Sequence, residues 1–354
     1  MTTVTPWPDE MWAACLHGPG DLRVERQPTP RITHNDDVLI HIRACGVCPS
    51  DVRPYVRSTK RKGQLPQELI PGHEWVGEVV ATGPDVTKFT PGDRVAVNWR
   101  VVCGVCTYCG QGRHNYCEHP DHTRVRGGFC EYGIAPASNV KLIPDGISFA
   151  EAAFTEPLAC CLNGTRELNV ELGEDVVVVG AGSIGLLHLQ LARAQGARVI
   201  ISELLAERRE KAQALGAHEV IGGNDIDPVA AVRELTGGRG ADAVIVAVGH
   251  PDAISQGIQM AGTLGRVNLF AGTYPPTEIP LDSNLIHYQN IVITGTHDFV
   301  PHEFDLALKL IEHRIIKVAP LISHTFPLAE IRRAFDVVVE RSGLKVVVEI
   351  GNMS

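Results

Sequence analysis

Four cysteines, Cys103, Cys106, Cys109 and Cys117, fall within one short stretch in the pattern C-x2-C-x2-C-x7-C. This spacing lets four thiolates surround one tetrahedral zinc, and a closed shell of four leaves no position for a substrate, so such a site is structural. Closely spaced cysteines also suit an iron–sulfur cluster. A paired zinc ribbon would show two C-x2-C knuckles about 15–20 residues apart, which this stretch does not. A second group lies upstream, where CGVCPSD (Cys45–Asp51) precedes PGHEWVGEVVATG (Pro71–Gly83). Cys48, His73 and a carboxylate would make a mixed sulfur, nitrogen and oxygen set with an open fourth position, the arrangement of catalytic zinc. Plainer readings exist for each residue alone: Cys45 and Cys48 as a redox pair, His73 as a hydrogen-bonded core histidine.

A third constellation is GAGSIG, with Gly180, Gly182 and Gly185. It follows the apolar run Val176–Val179 and opens a helix through Ser183 and Ile184, the context in which such glycines cradle a dinucleotide pyrophosphate. The helix N-terminus then offers free N–H groups to the phosphates. Glu203 closes the next strand, about twenty residues on, where a carboxylate binds the adenosine ribose hydroxyls. A 2′-phosphate would meet like charge there, so NAD is expected over NADP. Arg208 and Arg209, on the following helix, temper that bias.

These groups need a scaffold. At 354 residues the chain is too long for one comfortable core, so two domains are expected. Hydrophobic content of 44% and charged content of 21% are globular values. Up to about residue 150 the pattern is β-rich: DVLIHIRAC, WVGEVVATG and DRVAVNW are short apolar segments punctuated by Gly, Pro and Asp. From about residue 170 strands and helices alternate. Strands are expected at Val176–Val179, in the segment ending at Glu203, at His218–Ile221, at Ala243–Val248, around Arg266–Phe270 and in NIVITGT; helices are expected at about 206–215 and 228–235. Six strands alternating with helices imply a doubly wound parallel sheet. The tail adds two amphipathic helices, EFDLALKLIEHR and AEIRRAFDVVVERS, and the strand KVVVEI. It is expected to return to the first domain.

The net charge of −9 argues against a nucleic-acid surface. The basic run Arg57–Lys62 reads as a solvated loop, with an anion-recognition loop as its sharper alternative. The N-terminal stretch lacks the pattern of a signal peptide, and no apolar run reaches membrane-span length. A cytoplasmic, reducing setting follows, in which ten cysteines are metal ligands or buried thiols rather than disulfides.

Taken together, the motifs resemble the zinc-containing medium-chain alcohol dehydrogenases, on the branch of polyol (sorbitol-type), sugar and threonine dehydrogenases. The resemblance spans essentially the whole chain. Gly72, His73, Glu74, Gly77, Gly83 and Val86 match the zinc signature G-H-E-x2-G-x5-G-x2-V, the four-cysteine lobe matches the structural zinc site, and EPL (Glu156–Leu158) matches the polyol and sugar branch. The resemblance implies a β-rich GroES-like catalytic domain (residues 1–157 and 297–354) with a Rossmann domain (residues 158–296) inserted before the C-terminal segment. It implies two zinc ions per chain. Cys48 and His73 would hold the catalytic one with Glu74 or Glu156, used variably; Cys103, Cys106, Cys109 and Cys117 would hold the other. Asp51 would orient His73, and Ser50 would take the substrate's proton. Nicotinamide contacts would come from loops around Val248–Gly249, Phe270–Gly272 and Thr294–Thr296. Two positions depart from the pattern. Arg53 stands where a relay histidine is frequent and cannot accept a proton, and Pro49 follows the ligand cysteine where glycine or histidine is common.

The implied reaction is hydride transfer between a secondary alcohol of a polyol or sugar alcohol and NAD. L-threonine, a cyclitol or a simple secondary alcohol or diol are alternative substrates, with a sugar phosphate as an anionic variant. A zinc-stapled, non-catalytic NAD-binding sensor or scaffold is the alternative of another class. No nucleic-acid or membrane partner is expected, and the family implies a homo-oligomer, tetramer or dimer.

Overall fold

The computed structural model describes residues 7–57, 69–223 and 225–351. Most of the basic run Arg57–Lys62 therefore lies outside the described residues. The chain forms two compact units. The first ends at Glu156 and resumes over Val300–Glu312 and from Val318 onward; the second takes Pro157–Phe299 and His313–Lys317.

The first unit is built on a seven-stranded sheet. Its central strand, Asp37–Gly46, is buried along almost its whole length because both faces are covered. It pairs antiparallel with Glu74–Thr82, Tyr132–Pro136 and the tail strand Lys345–Glu349. The helix Pro301–Glu312 and the helix Ile331–Glu340 come from the tail patterns and belong to this unit. One helix escaped the sequence pattern. Pro49–Val56 carries a proline, Pro54, in its interior, which hides it from a pattern reading, yet proline at its first turn and Asp51 as an acidic first-turn residue favour it.

The second unit is a six-stranded, all-parallel sheet. Its order is Glu219–Ile221, Arg198–Ser202, Asp175–Val179, Ala241–Val246, Ala261–Leu269, Val292–Gly295. Numbered along the chain this is 3-2-1-4-5-6, whose order reverses beside the first strand and opens a crevice at the strands' carboxyl ends. Asp175–Val179 is buried throughout, as a strand covered by helices on both faces must be. The helices Ala206–Ala214 and Pro228–Leu235 stand where the sequence pattern puts them. Asp227 caps the second, accepting the N–H groups of Val229 and Ala230.

Candidate active site

Cys48 is the residue before the helix Pro49–Val56, in extended backbone conformation. Asp51, three residues on, turns its carboxylate back so that Oδ2 accepts the Cys48 N–H at 3.1 Å, an acidic variant of the capping box. The other oxygen, Oδ1, accepts the Gly72 N–H at 3.1 Å and faces His73 Nδ1 at 3.0 Å. One buried carboxylate thus ties the cysteine motif to the histidine motif. With Nδ1 engaged, His73 has Nε2 left for a metal, the orientation that carboxylate-backed ligand histidines adopt. Burial pushes the His73 pKa down, but the adjacent Asp51 charge and hydrogen bond outweigh it and, with Cys48, hold the imidazole well above its usual value.

Donor atoms of Cys48, His73 and Glu74 all lie within 4.8 Å of one another. A thiol, an imidazole and a carboxylate at that separation fit a zinc ion with room for a further ligand. Glu156 stands outside this group. It is buried in the first turn of the helix Thr155–Leu168 and accepts from Trp99 Nε1 at 3.4 Å, while Trp99 meets His73 edge to face at 5.8 Å.

A residue with no place in the sequence motifs completes the cluster. Lys345 opens the tail strand and is ion-paired with Glu74. Both are buried, with 5% and 2% exposure, and Lys345 Nζ also donates to the Val47 carbonyl at 3.3 Å. Sheet register explains the meeting. Gly46 is opposite both Glu74 and Val347, and a Cβ at Gly46 would overlap the Glu74 carboxylate and crowd the Lys345 stem. Burial pulls the ammonium pKa down, but the charges of Glu74, Cys48 and Glu156 raise it above its usual value. The available signal was a lysine heading the apolar run Val346–Val348.

Beside His73 opens a cavity of about 240 Å³ lined by Ser50, Asp51, Trp99, His122 and Arg126 among others. Ser50 is therefore placed against the same space as His73. Trp99, His122 and Arg126 were not singled out from sequence, because they lie in loops between motifs and carry no spacing of their own.

The cysteine lobe is separate. Cys103 and Cys109 sulfurs lie 4.0 Å apart, and all four sulfurs lie within 4.8 Å of one another. Zinc–sulfur bonds of about 2.3 Å set tetrahedral sulfurs roughly 3.8 Å apart, so the lobe fits one zinc. Backbone N–H groups already point at the sulfurs: Cys103 N–H at Cys117 Sγ, 3.3 Å, and Cys106 N–H at Cys103 Sγ, 3.4 Å. N–H groups of Glu118 and Cys109 pull the Cys106 thiol down to about 6. Burial, with the neighbouring thiols, pushes Cys109 up to about 12.

In the second unit Gly180 has φ +95°, and a Cβ there would strike the Val248 side chain. Gly185 abuts the Gly180 carbonyl, whereas a Cβ on Gly182 would meet nothing within 4 Å. That open face lies at the start of the helix Ser183–Ala194, whose first N–H groups no side chain caps. Ser183 and Ile184 form its first turn. This is a cradle suited to a pyrophosphate. Glu203 is fixed beside it: Oε2 accepts the Ala181 N–H at 2.7 Å and Oε1 the Leu205 N–H at 3.0 Å. Arg208 lies on the next helix, Ala206–Ala214. Val248 follows the strand Ala241–Val246 and Phe270 the strand Ala261–Leu269, at the sheet's carboxyl edge. Phe270 packs edge to face on buried His188 at 4.6 Å, and Thr296 Oγ1 donates to Asn268 Oδ1 at 3.3 Å.

Comparison with known proteins agrees with this construction. The alcohol dehydrogenase GroES-like domain family matches residues 34–145, and the zinc-binding dehydrogenase family matches residues 183–313. Sorbitol dehydrogenase of Halalkalibacterium halodurans is 33% identical, covering 93% of this chain and 96% of its own. D-arabitol-phosphate dehydrogenase of Enterococcus avium is 33% identical over 89% and 90% of the two chains. Among solved structures, a zinc-binding dehydrogenase of Sinorhizobium meliloti 1021 bound to NADP superposes with a TM-score of 0.86 at 28% identity, covering 97% of this chain and 100% of that one.

Proposed function

The chain belongs to the zinc-containing medium-chain alcohol dehydrogenase family, on its polyol, sugar and threonine dehydrogenase branch, and on that premise we propose that it oxidises a secondary alcohol of a polyol with NAD. The observation that carries this reading is the convergence of Cys48, His73 and Glu74 donors beside a cavity that Ser50 also lines. Cys48, His73 and Glu74, with Glu156 as an alternative carboxylate, would hold a catalytic zinc; Cys103, Cys106, Cys109 and Cys117 would hold a structural one. When bound, zinc supplies Lewis-acid stabilisation of a deprotonated alcohol and NAD accepts the hydride.

The chain's own residues do the rest. Asp51 holds the His73 ring by Nδ1, so the imidazole keeps one tautomer and one direction. Ser50 takes the substrate's hydroxyl proton as general base in a relay and passes it outward. Arg53, on the same helix, stays protonated and cannot serve as the next acceptor, so the proton leaves to water or to a cofactor ribose hydroxyl. Gly180, Gly182 and Gly185 admit the pyrophosphate, while Val248, Phe270 and Thr296 stand at the carboxyl edge where the nicotinamide would lie.

Glu203 favours NAD, because its carboxylate opposes a 2′-phosphate at the strand end. The NADP-bound neighbour makes the opposite choice the one to exclude, with Arg208 as the residue that would favour it. A homo-oligomer working in the cytoplasm completes the proposal; among the described residues no helix is long and apolar enough to cross a membrane. Ser50→Ala tests the assignment. Dehydrogenation should be lost while NADH binding, followed by fluorescence, is retained; unchanged turnover would remove Ser50 from the relay.

A further inference from the structure

The second unit buries a histidine that the proposed reaction does not use. His188 lies in the second turn of the helix Ser183–Ala194 and is 0% exposed. Its Nδ1 lies 3.3 Å from Thr165 Oγ1, whose own proton goes to the Cys161 carbonyl at 2.9 Å. The hydroxyl can therefore only accept from the ring, so Nδ1 carries the proton and Nε2 a lone pair. Burial alone pulls the His188 pKa down to about 3, and the ring stays neutral at any working pH. Nε2 has no hydrogen-bond partner among the described residues. A buried acceptor left unmade carries a cost that leucine would not, so packing alone does not account for a histidine here.

What the imidazole holds does account for it. Phe270 packs on it edge to face, with centroids 4.6 Å apart and planes at 80°. Gly164, on the helix Thr155–Leu168, closes the contact: a Cβ there would come within 2.9 Å of Phe270 Cδ2 and 3.2 Å of His188 Cε1. The backbone at Phe270 is held more loosely. Its N–H and that of Ala271 share the Val246 carbonyl, at 3.2 and 3.1 Å, and residues 271–282 beyond form no helix or strand. Part of the half-buried Phe270 ring is thus spent on His188 and Gly164, and the rest stands at the sheet's carboxyl edge, where the nicotinamide would lie. The helix that carries His188 also begins at the pyrophosphate cradle, after Gly182. Both ends of the dinucleotide are therefore referred to one rigid element.

We propose that His188 is a positioning residue for the cofactor: tethered to Thr165, it fixes the Phe270 ring against which the nicotinamide is placed, at a set offset from the pyrophosphate. This rests on the dinucleotide reading above and deepens it. His188 is buried out of the cofactor's reach and takes no part in hydride transfer. A fixed ring matters because a displacement of about 1 Å at the reacting centre can cost about 100-fold in rate.

The test uses NADH and ADP-ribose, the same molecule without its nicotinamide, as probes of the zinc-replete protein. Calorimetry gives the affinity of each, and the fluorescence lifetime of bound NADH reports the surroundings of the nicotinamide. The proteins are the wild type, His188→Leu, Thr165→Val and Thr165→Ser. Leucine fills much of the imidazole's space without the tether; valine removes only the accepting hydroxyl, and serine restores it. The expected result is an unchanged affinity for ADP-ribose in all four. NADH affinity should fall about three- to tenfold in His188→Leu and Thr165→Val, the worth of one ring–ring contact, with a shorter lifetime, while Thr165→Ser matches the wild type. The thermal midpoint of His188→Leu should not fall, because the orphaned acceptor is gone. A changed lifetime without a change in affinity would still uphold the placement. An unchanged affinity ratio and an unchanged lifetime in every variant would overturn the positioning role and leave the dinucleotide site intact. A fall of both affinities in step, with a lower thermal midpoint, would reduce His188 to a structural part and overturn it too. If His188→Leu does not fold, the valine and serine variants of Thr165 decide alone. Failure of the wild type to bind either probe would strike the dinucleotide reading itself, and the positioning role with it.

Discussion

Replacing Lys345 by methionine should destabilise the first unit more than any exposed substitution. The side chain is 5% exposed and its partner Glu74 2%. Methionine keeps most of the volume of the stem while removing the ammonium, so the Glu74 carboxylate is left buried without its counter-charge and the Val47 carbonyl loses a donor. Breaking a buried pair from one side costs about 3–5 kcal/mol. With a urea slope of about 2.5 kcal/mol per molar, the midpoint of the zinc-depleted protein should fall by roughly 1.5 M. Adding Glu74→Gln removes the stranded charge, so the double variant should recover part of the loss, with a coupling of about 2 kcal/mol in the double-mutant cycle. A zinc ion held by Cys48, His73 and Glu74 would be the other cation within reach of Glu74, so the penalty of Lys345→Met alone should shrink in zinc-replete protein. Urea titrations followed by tryptophan fluorescence on the four proteins read all of this. A cost below about 1 kcal/mol with additive single effects would show that the pair does not hold this corner of the sheet together.

Four further outcomes are expected. Asp51→Asn should weaken zinc at the Cys48–His73–Glu74 cluster by about 10–100-fold, since it removes the group that aims His73; competition with a chromogenic chelator measures this. Cys106→Ser should lower bound zinc by one ion per chain and leave the other ion in place, as metal analysis after dialysis would show. Glu203→Ala should raise kcat/KM with NADP relative to NAD by about tenfold or more, from removal of a like charge; an unchanged ratio would move cofactor choice to other residues. Asp37 supplies a pH dependence: burial opposes its ionisation, but N–H groups of His34 and Thr33 and the Arg124 guanidinium outweigh it, so its folded pKa is lowered from the usual 3.8. Its stabilising contribution is then full above the unfolded value and lost as pH falls through the folded one. Asp37→Asn should flatten the decline in thermal stability below about pH 4.

Much of this architecture was legible before any coordinates. Glycine spacing, apolar runs and turn residues marked all six parallel strands; the central ones were clearest, because a strand buried on both faces has no choice but a continuous apolar run, as Val176–Val179 shows. Element ends were less legible: the strand expected at Ala243–Val248 ends at Val246, since residues beyond it turn into the loop behind Gly180. The helix Pro49–Val56 was hidden because Pro54 lies inside it and only Val52, Tyr55 and Val56 are apolar, too few to mark a period. At the site, residues in motifs were found and residues in register were not. Lys345 meets Glu74 through strand pairing across a glycine almost three hundred positions away, and Arg126 and His122 face the cavity only because a loop folds them there. Local spacing carries the first kind of information, and tertiary packing alone carries the second.

The most direct test of the central claim is the initial rate of NAD reduction on a panel of polyols, polyol phosphates, cyclitols, L-threonine and simple secondary alcohols, with and without a zinc chelator. Chelator-sensitive turnover of a polyol or its anionic derivative with NAD is the predicted result. No turnover of any member, by protein that still carries zinc and binds NADH, would contradict it.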